Sequence, residues 1–231
     1  MQRYFAINKN LELEESDYHH IKTVMRMKPG DIIEVVYDGK VNKCMLNKDY
    51  SYNVISSETK ESKNKKIIVA FALLKEQKLD YLFQKSTEVG ASEFIPLISK
   101  RSLIKFDSNK LNVKLARWNK IVKEASEQSF RIEKPFINAI MDIKDLVKYD
   151  ADLKILFTLT KNTKSIKKIL QKNNNCDKIL IVTGPEGGFD PTEEEYLIKN
   201  GFIPASLGDN VLRAETAPVV AIGMINYEFM R

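Results

Sequence analysis

Residues 179–217 read ILIVTGPEGGFDPTEEEYLIKNGFIPASLGDNVLRAETA, and this stretch carries the clearest structural signals in the chain. The β-branched apolar run 179–183 ends in GPEGG, which is typical of a buried strand followed by a tight loop. Residues 190–193 place Asp, Pro and Glu where a helix N-cap, first position and capping box require them. A second apolar run, 203–207, ends in another glycine-containing loop. Because ligands bind beyond the carboxyl ends of strands in open α/β sheets, the two loops predict a ligand site.

Composition is that of an ordinary globular protein, with 231 residues, 43% of them hydrophobic and 29% charged. This length allows one large domain or two small ones. A net charge of +6 favours a polyanionic partner, although a lysine-rich composition explains it equally well. Cys44 and Cys176 are far apart, and the adjacent His19 and His20 have no co-ligands, so no metal site is expected. We also expect no membrane span and no signal peptide, and a reducing, cytoplasmic location fits.

The hydrophobic pattern divides the chain into two regions. Residues 1–66 predict a small β-rich domain, which ends in the charged segment 58–66. Residues 67–231 alternate strands and helices, which predicts a mainly parallel sheet with helices on both faces. The predicted strands cover residues 3–7, 32–37, 41–46, 50–56, 67–73, 94–98, 136–140, 153–158, 179–183 and 203–207. The predicted helices cover residues 14–27, 79–89, 110–130 and 165–170, a segment that starts at 190, and residues 217–229.

The two loops suit a nucleoside better than a triphosphate. The sequence GPEGG lacks the Gly-Lys-Ser/Thr of a phosphate-binding loop and does not match the GxGxxG dinucleotide pattern. It offers backbone groups and one carboxylate, although a plain strand-to-helix turn is the alternative. The second loop adds the cation of Arg213, the carboxylate of Glu215 and the hydroxyl of Thr216, for which a solvated surface salt bridge is the alternative.

Several ordered motifs resemble one family. GPEGGF at residues 184–189 and LGxxVLRxETA at residues 207–217 resemble the signature of the RsmE family of 16S ribosomal RNA uridine N3-methyltransferases, within the SPOUT superfamily. One departure is Asn210, which stands where many members carry Arg. Further resemblances lie in Arg3-Tyr4-Phe5, in residues 20–31, in QKSTEVG at 84–90, in residues 96–101, and in EASEQS at 124–129 with Arg131.

The resemblance implies a PUA-like N-terminal β-barrel at residues 1–66 and a SPOUT α/β domain with a trefoil knot at residues 67–231. It also implies a homodimer that uses S-adenosylmethionine to methylate N3 of a uridine in 16S ribosomal RNA. Uridine N3 lies on the Watson–Crick edge, so the base must be unpaired to reach the enzyme. Three alternatives stay open: a SPOUT enzyme that methylates ribose 2′-O, a non-catalytic RNA-binding assembly protein, and a nucleotide hydrolase, which lacks a phosphate-binding lysine and a metal site.

The resemblance also implies roles for individual residues. Glu215 is the candidate base for the N3 proton, with Glu186 as an alternative base that could instead position the methionine amino group. Arg213 binds RNA or stabilises negative charge on the uracil oxygens. The expected cofactor-binding residues are Thr158, Leu159, Thr160, Thr183, Gly184, Glu186, Gly187, Gly188, Leu207, Gly208, Val211, Leu212, Thr216 and Ala217. The expected RNA-binding residues, each of which could equally be a solvated surface cation, are Arg3, Lys22, Arg26, Lys85, Arg101 and Arg131.

Overall fold

The computed structural model describes residues 1–60, 65–102, 111–160 and 162–230, and the chain folds into two units. The first unit contains Met1–Lys63 and Lys123–Lys134, and the second contains Asn64–Val122 and Pro135–Arg231. The predicted boundary after residue 66 lies close to the first transition. The assignment of Lys123–Lys134 to the first unit was not predicted, because the sequence analysis places all of residues 67–231 in the second domain. Residues 61–64 of the predicted linker and Lys110 of a predicted helix lie outside the described residues.

The first unit is built on a four-stranded sheet in the order β1-β2-β3-β4. Strands β1 and β2 pair in parallel, and the other neighbours are antiparallel. Asp38 and Gly39 form the predicted two-residue hairpin, and both have positive φ, as a type I′ turn requires. The strands are β1 (Gln2–Phe5), β2 (Ile32–Tyr37), β3 (Lys40–Leu46) and β4 (Tyr52–Thr59). The predicted helix 14–27 is shorter in the structure, with α1 (Glu15–His19) continuing as the π-helical turn His20–Val24.

A buried charge cluster lies within the first unit. The ammonium of Lys123 contacts three carboxylates, with Nζ 2.5 Å from Asp17 Oδ1, 3.2 Å from Glu14 Oε2 and 3.4 Å from Glu127 Oε1. The carboxylate of Glu127 also accepts a hydrogen bond from the backbone amide of Phe5 at 3.1 Å. Burial raises the pKa of Glu127 to about 7, with Asp17 adding to the rise and Lys123 opposing it. Glu127 is therefore protonated in the folded protein at pH values where it would be ionised in the unfolded chain.

We predict that Glu127→Gln makes the first unit more resistant to unfolding as pH rises. Because its pKa moves from 4.5 to about 7, native Glu127 contributes stability below pH 4.5 that is lost as pH rises through 7. The rise in the pKa of Glu127 from 4.5 to about 7 corresponds to about 3 kcal/mol of folding stability. Glutamine keeps an acceptor for the Phe5 amide and carries no charge. Urea denaturation at pH 5, 6, 7 and 8 should show the stability difference between variant and wild type growing with pH.

The exposed Glu15 provides the control for this prediction, because Glu15→Gln removes a carboxylate that lies in solvent. The stability difference for Glu15→Gln should stay nearly constant over the same pH range. A constant difference for Glu127→Gln as well would contradict the raised pKa.

The second unit contains a seven-stranded sheet in the order β7-β6-β5-β10-β8-β11-β9, and every neighbouring pair is parallel. The predicted parallel α/β architecture is thus confirmed, while the knot stays a prediction. The strands are β5 (Lys66–Ala72), β6 (Glu93–Leu97), β7 (Phe136–Ile137), β8 (Leu153–Phe157), β9 (Lys164–Ser165), β10 (Lys178–Thr183) and β11 (Ile203–Ser206). The helices are α2 (Glu76–Val89), α3 (Leu111–Gln128), α4 (Ile143–Leu146), α5 (Ile166–Lys172), α6 (Pro191–Lys199) and α7 (Ala217–Phe229). The part of α3 from Lys123 onward belongs to the first unit.

Alternate residues of the central strands enter two different cores, as a sheet covered on both faces requires. In β5, Ile67, Val69 and Phe71 pack with residues of α2, α3, α5 and α7. Ile68, Ala70 and Ala72 face the other way and pack with residues of α4 and α6. The prediction missed β9 and α4, which span two and four residues and are too short to show a period. None of the described helices is long and apolar enough to cross a membrane.

Candidate active site

The candidate site lies where three neighbouring strands of the second unit end. Thr183, the last residue of β10, is paired with Phe157 at the end of β8, and Phe157 is paired with Ala205 of β11. The loops that follow these strands therefore leave the sheet side by side. This register brings the two glycine-containing loops of residues 179–217 to one edge, and it adds residues 158–160 as a third wall.

The three loops enclose a cleft of about 740 Å³, a volume typical of small-molecule sites. All of the predicted cofactor-binding residues line it except Thr216, which is the N-cap residue of α7. Arg213 lines the cleft, whereas Glu215 is only 7% exposed and is not part of the lining. Lys78, Arg101 and Glu194 also line the cleft. Direct binding of a cofactor by these residues stays a prediction.

Glycine is needed in the cleft for different structural reasons at different positions. A Cβ on Gly184 would lie 3.1 Å from both the ring and the backbone nitrogen of Phe189, so the loop leaves no room for a side chain there. Gly188 and Gly208 have φ values of 68° and 135°, which favour glycine. A Cβ on Gly187, Gly188 or Gly208 would meet no atom of the described part of the chain within 4 Å. The absence of side chains at these positions leaves the backbone accessible to a ligand.

The predicted capping box holds the first loop in place. The side chain of Asp190 accepts from the amide of Thr192 at 3.0 Å, and the amide of Asp190 donates to Glu193 Oε2 at 3.0 Å. Glu193 also accepts from the amide of Lys100 at 2.8 Å through its other oxygen. Arg101 donates from Nη1 to the carbonyl of Gly187 at 3.2 Å. The loop after β10 is therefore fixed by both the helix that follows it and the loop after β6.

Lys78, in the first turn of α2, connects the two candidate proton acceptors. Its Nζ lies 2.9 Å from Glu186 Oε1 and 3.7 Å from Glu215 Oε2. Burial alone would raise the pKa of Glu186, but the hydrogen bond from Lys78 brings this pKa below its usual range. The same hydrogen bond raises the pKa of Lys78. Sequence reasoning missed Lys78, because it lies 108 positions before Glu186 and no local pattern marks it.

Two buried polar atoms at the site have no hydrogen-bond partner among the described residues. They are Thr183 Oγ1, in the cleft lining, and Glu215 Oε2, beside Lys78. A buried oxygen without a hydrogen bond is costly, so Thr183 Oγ1 favours a ligand group at this site. Glu215 Oε2 has the ammonium of Lys78 as an ion-pair partner but can still accept a hydrogen bond. The hydroxyl of Thr158 donates instead to Glu194 Oε1 at 2.7 Å, which places a second carboxylate in the cleft wall.

The residues predicted to bind RNA differ in their surroundings. Lys22 and Arg26 are exposed, and Arg101 is exposed at the cleft, whereas Arg131 is half-buried and the ammonium of Lys85 pairs with Glu88 at 2.9 Å. Arg3 is 6% exposed. It donates from Nε and Nη2 to Glu34 and from Nη1 to the carbonyls of Phe130 and Arg131. Because all three nitrogens are used within the protein, this position does not favour the RNA contact predicted for Arg3.

No group of three or more His, Cys, Asp or Glu side chains suitable for a metal ion occurs in the described part of the chain. The cleft presents glycine backbone, apolar side chains and a few charged groups. This composition is typical of a site for an organic ligand.

Comparison with known proteins gives consistent results for both units. Residues 60–226 match the model of an RNA methyltransferase domain, and residues 13–50 match an RNA methyltransferase PUA domain. The ribosomal RNA small subunit methyltransferase E of Bacillus subtilis is 36% identical over 99% of this chain and 97% of its own length. The enzyme of the same name from Synechocystis is 34% identical over 95% of this chain and 74% of its own length.

Solved structures show the same fold. A methyltransferase from Legionella pneumophila, solved in complex with the cofactor SAM, is 26% identical over 99% of this chain and 98% of its own, with a TM-score of 0.89. A ribosomal RNA small subunit methyltransferase E from Neisseria gonorrhoeae, solved with bound S-adenosyl methionine, is 24% identical over 99% and 98% of the two chains, with a TM-score of 0.87.

A parallel α/β unit with a glycine-lined cleft, in a chain that also carries a PUA-type unit, defines the protein as an RNA methyltransferase. The full-length relatives specify the class further. The chain belongs to the family of ribosomal RNA small subunit methyltransferase E.

Proposed function

We propose that the protein transfers a methyl group from S-adenosylmethionine to N3 of a uridine in 16S ribosomal RNA. The observation that carries this proposal is the convergence of the loops after β8, β10 and β11 on one cleft, in a chain of this family. The cleft fits the cofactor: its glycines leave backbone groups open, Thr183 Oγ1 has no hydrogen-bond partner among the described residues, and Glu186 and Glu194 suit a cationic ligand. The cofactor supplies a methyl group already activated by the sulfonium.

The protein then has two tasks. It must align the uracil with the methyl group, and it must remove the N3 proton. Alignment alone can contribute several kcal/mol, of order 7–11 at best. We assign the proton to Glu215, because its Oε2 is buried without a hydrogen-bond partner among the described residues. The hydrogen bond from Lys78 holds the pKa of Glu186 below its usual range, which makes Glu186 a weaker base than an ordinary carboxylate. Arg213, exposed at the cleft, is assigned to the negative charge that develops on the uracil oxygens.

We further propose that Lys22, Arg26, Lys85, Arg101 and Arg131 contribute to RNA binding. Lys22, Arg26 and Arg101 support this most directly, because they are exposed. The ammonium of Lys22 also lies 4.9 Å from the ring centroid of Tyr50, which orients it. Phosphate contacts of this kind should make RNA binding strongly dependent on salt.

We propose a homodimer in the cytoplasm, where the ribosomal RNA is modified. Met224, Tyr227 and Met230 at the C-terminal end of the chain are 36%, 80% and 78% exposed, which supports coverage of α7 by a second copy. Light scattering should give twice the mass of one 26.6 kDa chain. Tyr227→Glu should lower the measured mass towards that of a single chain, and a monomeric wild type would exclude the dimer.

The experiment that tests the proposed function is mass spectrometry of 16S ribosomal RNA after incubation with the protein and S-adenosylmethionine. Unmodified naked RNA and whole small subunits should both be offered as substrates. Methylation of a uracil base supports the proposal. Methylation of a ribose would favour the 2′-O alternative, and binding of RNA without any methylation would favour a non-catalytic assembly protein.

A further inference from the structure

The cleft contains an ion pair that the proposed chemistry does not require. Lys78 and Glu186, with Nζ and Oε1 2.9 Å apart, both line the cleft. In the described part of the chain, no other ion pair has both partners in this lining. The side chains of Lys78 and Glu186 are 31% and 28% exposed, so a ligand can reach both charges.

A third charged group, the carboxylate of Glu215, allows a ligand to replace the contact between Lys78 and Glu186. Glu215 Oε2 lies 3.7 Å from the same ammonium, and Glu215 is buried. Two carboxylates therefore share one ammonium. If Glu186 moves to another cation, Lys78 keeps Glu215 as its counter-ion, and the ammonium is not left without a partner. A ligand that brings one negative and one positive group can thus replace the Lys78–Glu186 contact without a net loss of ion pairs.

A zwitterionic α-amino acid has this combination, because its carboxylate and its ammonium are attached to the same carbon. The methionine part of S-adenosylmethionine is such a group. The remaining lining of the cleft, with its glycine backbone and apolar residues such as Leu207 and Leu212, suits the nucleoside part. The charges of Lys78 and Glu186 therefore match the amino-acid end of S-adenosylmethionine, and the apolar lining matches its nucleoside end.

We propose that Lys78 and Glu186 are the receptor for the amino-acid end of the cofactor. Lys78 binds the α-carboxylate and Glu186 binds the α-ammonium, while Glu215 remains beside Lys78 and is the counter-ion of its ammonium until it accepts the N3 proton. This inference rests on the proposed use of S-adenosylmethionine. It makes Lys78 a residue of the cofactor site, although it belongs to neither of the glycine-containing loops.

The test compares two ligands that differ only in the amino-acid end. S-adenosylhomocysteine carries the zwitterion, and 5′-methylthioadenosine has the same nucleoside and thioether without it. In titration calorimetry, Lys78→Ala should raise the dissociation constant of S-adenosylhomocysteine about 10- to 100-fold, as expected for a lost charge-assisted hydrogen bond. Binding of methylthioadenosine should stay within about twofold, which also shows that the cleft is intact. Glu186→Gln should give the same selectivity, and Lys78→Arg should restore most of the affinity.

Lys167 is the control, because it is an exposed lysine on α5 and does not line the cleft. Lys167→Ala should change the affinity for either ligand only slightly. An equal loss of both ligands in Lys78→Ala, or no loss of either, would overturn the inference. Wild-type protein that binds neither ligand nor S-adenosylmethionine would instead overturn the proposed function, so the two failures are distinguishable.

Discussion

Glu215→Gln should lower the turnover number for RNA methylation by about 10²- to 10⁴-fold at pH 7, the range typical of a lost general base. Glutamine has nearly the same shape as glutamate but cannot accept the N3 proton. Because the substitution is isosteric and the bound ligand supplies its own carboxylate to Lys78, the affinity for S-adenosylhomocysteine should change far less than the turnover number. Single-turnover methylation of 16S ribosomal RNA, together with calorimetry, separates these two effects.

Glu195→Gln is the control for this prediction. Glu195 is exposed on α6, and its carboxylate lies 4.0 Å from Lys199 on the surface. Loss of this charge should leave turnover unchanged. If Glu215→Gln methylates RNA at a nearly normal rate, Glu215 is not the base, and the same measurement on Glu186→Gln examines the alternative acceptor.

Arg3→Met should destabilise the first unit by about 3–5 kcal/mol, the cost typical of a buried charge left without its partner. Arg3 and Glu34 are both buried, with Nη2 and Oε2 2.6 Å apart. Removal of the guanidinium leaves the buried carboxyl group of Glu34 without its ion-pair partner, and it also leaves the carbonyls of Phe130 and Arg131 without this donor. Urea denaturation followed by circular dichroism measures the loss.

The double variant Arg3→Met/Glu34→Leu should recover much of this stability, because no unpaired carboxylate remains. In the folded double variant, RNA binding should keep the salt dependence of the wild type. A reduction of the salt slope by about one would show that Arg3 contacts a phosphate after all. Lys40→Met, which removes an exposed cation from β3 of the same sheet, should change stability by less than about 0.5 kcal/mol.

The roles of Arg3 and Lys78 could not be predicted from the sequence. Both are single basic residues in segments without a catalytic pattern. Arg3 was predicted to bind RNA and is buried against Glu34, 31 positions away. Lys78 was not singled out and lies in the cleft beside Glu186, 108 positions away. In both cases the role depends on a partner that is distant in the sequence, and no local pattern specifies it.

Segments with strong local signals were predicted closely. The apolar run that became β10, the capping box at Asp190 and Glu193, and the Asp38-Gly39 hairpin all depend on neighbouring residues. The bounds of β2 and α7 also agree with the prediction. The π-helical turn His20–Val24 was not predicted, because its apolar spacing resembles that of an ordinary helix.

The sequence by itself determined the strands and helices with a clear period, the glycine-containing loops at the strand ends, and the family. These features rest on local backbone preferences and on motifs that can be read along the chain. Only the tertiary structure decided that Lys78 joins Glu186 and Glu215 and that Arg3 is buried. It also supplied the strand register that brings the loops after β8, β10 and β11, which were expected to share a ligand, to one cleft. The reason is physical: strand register sets which loops meet, and burial and charge pairing depend on residues that approach each other only in the folded protein.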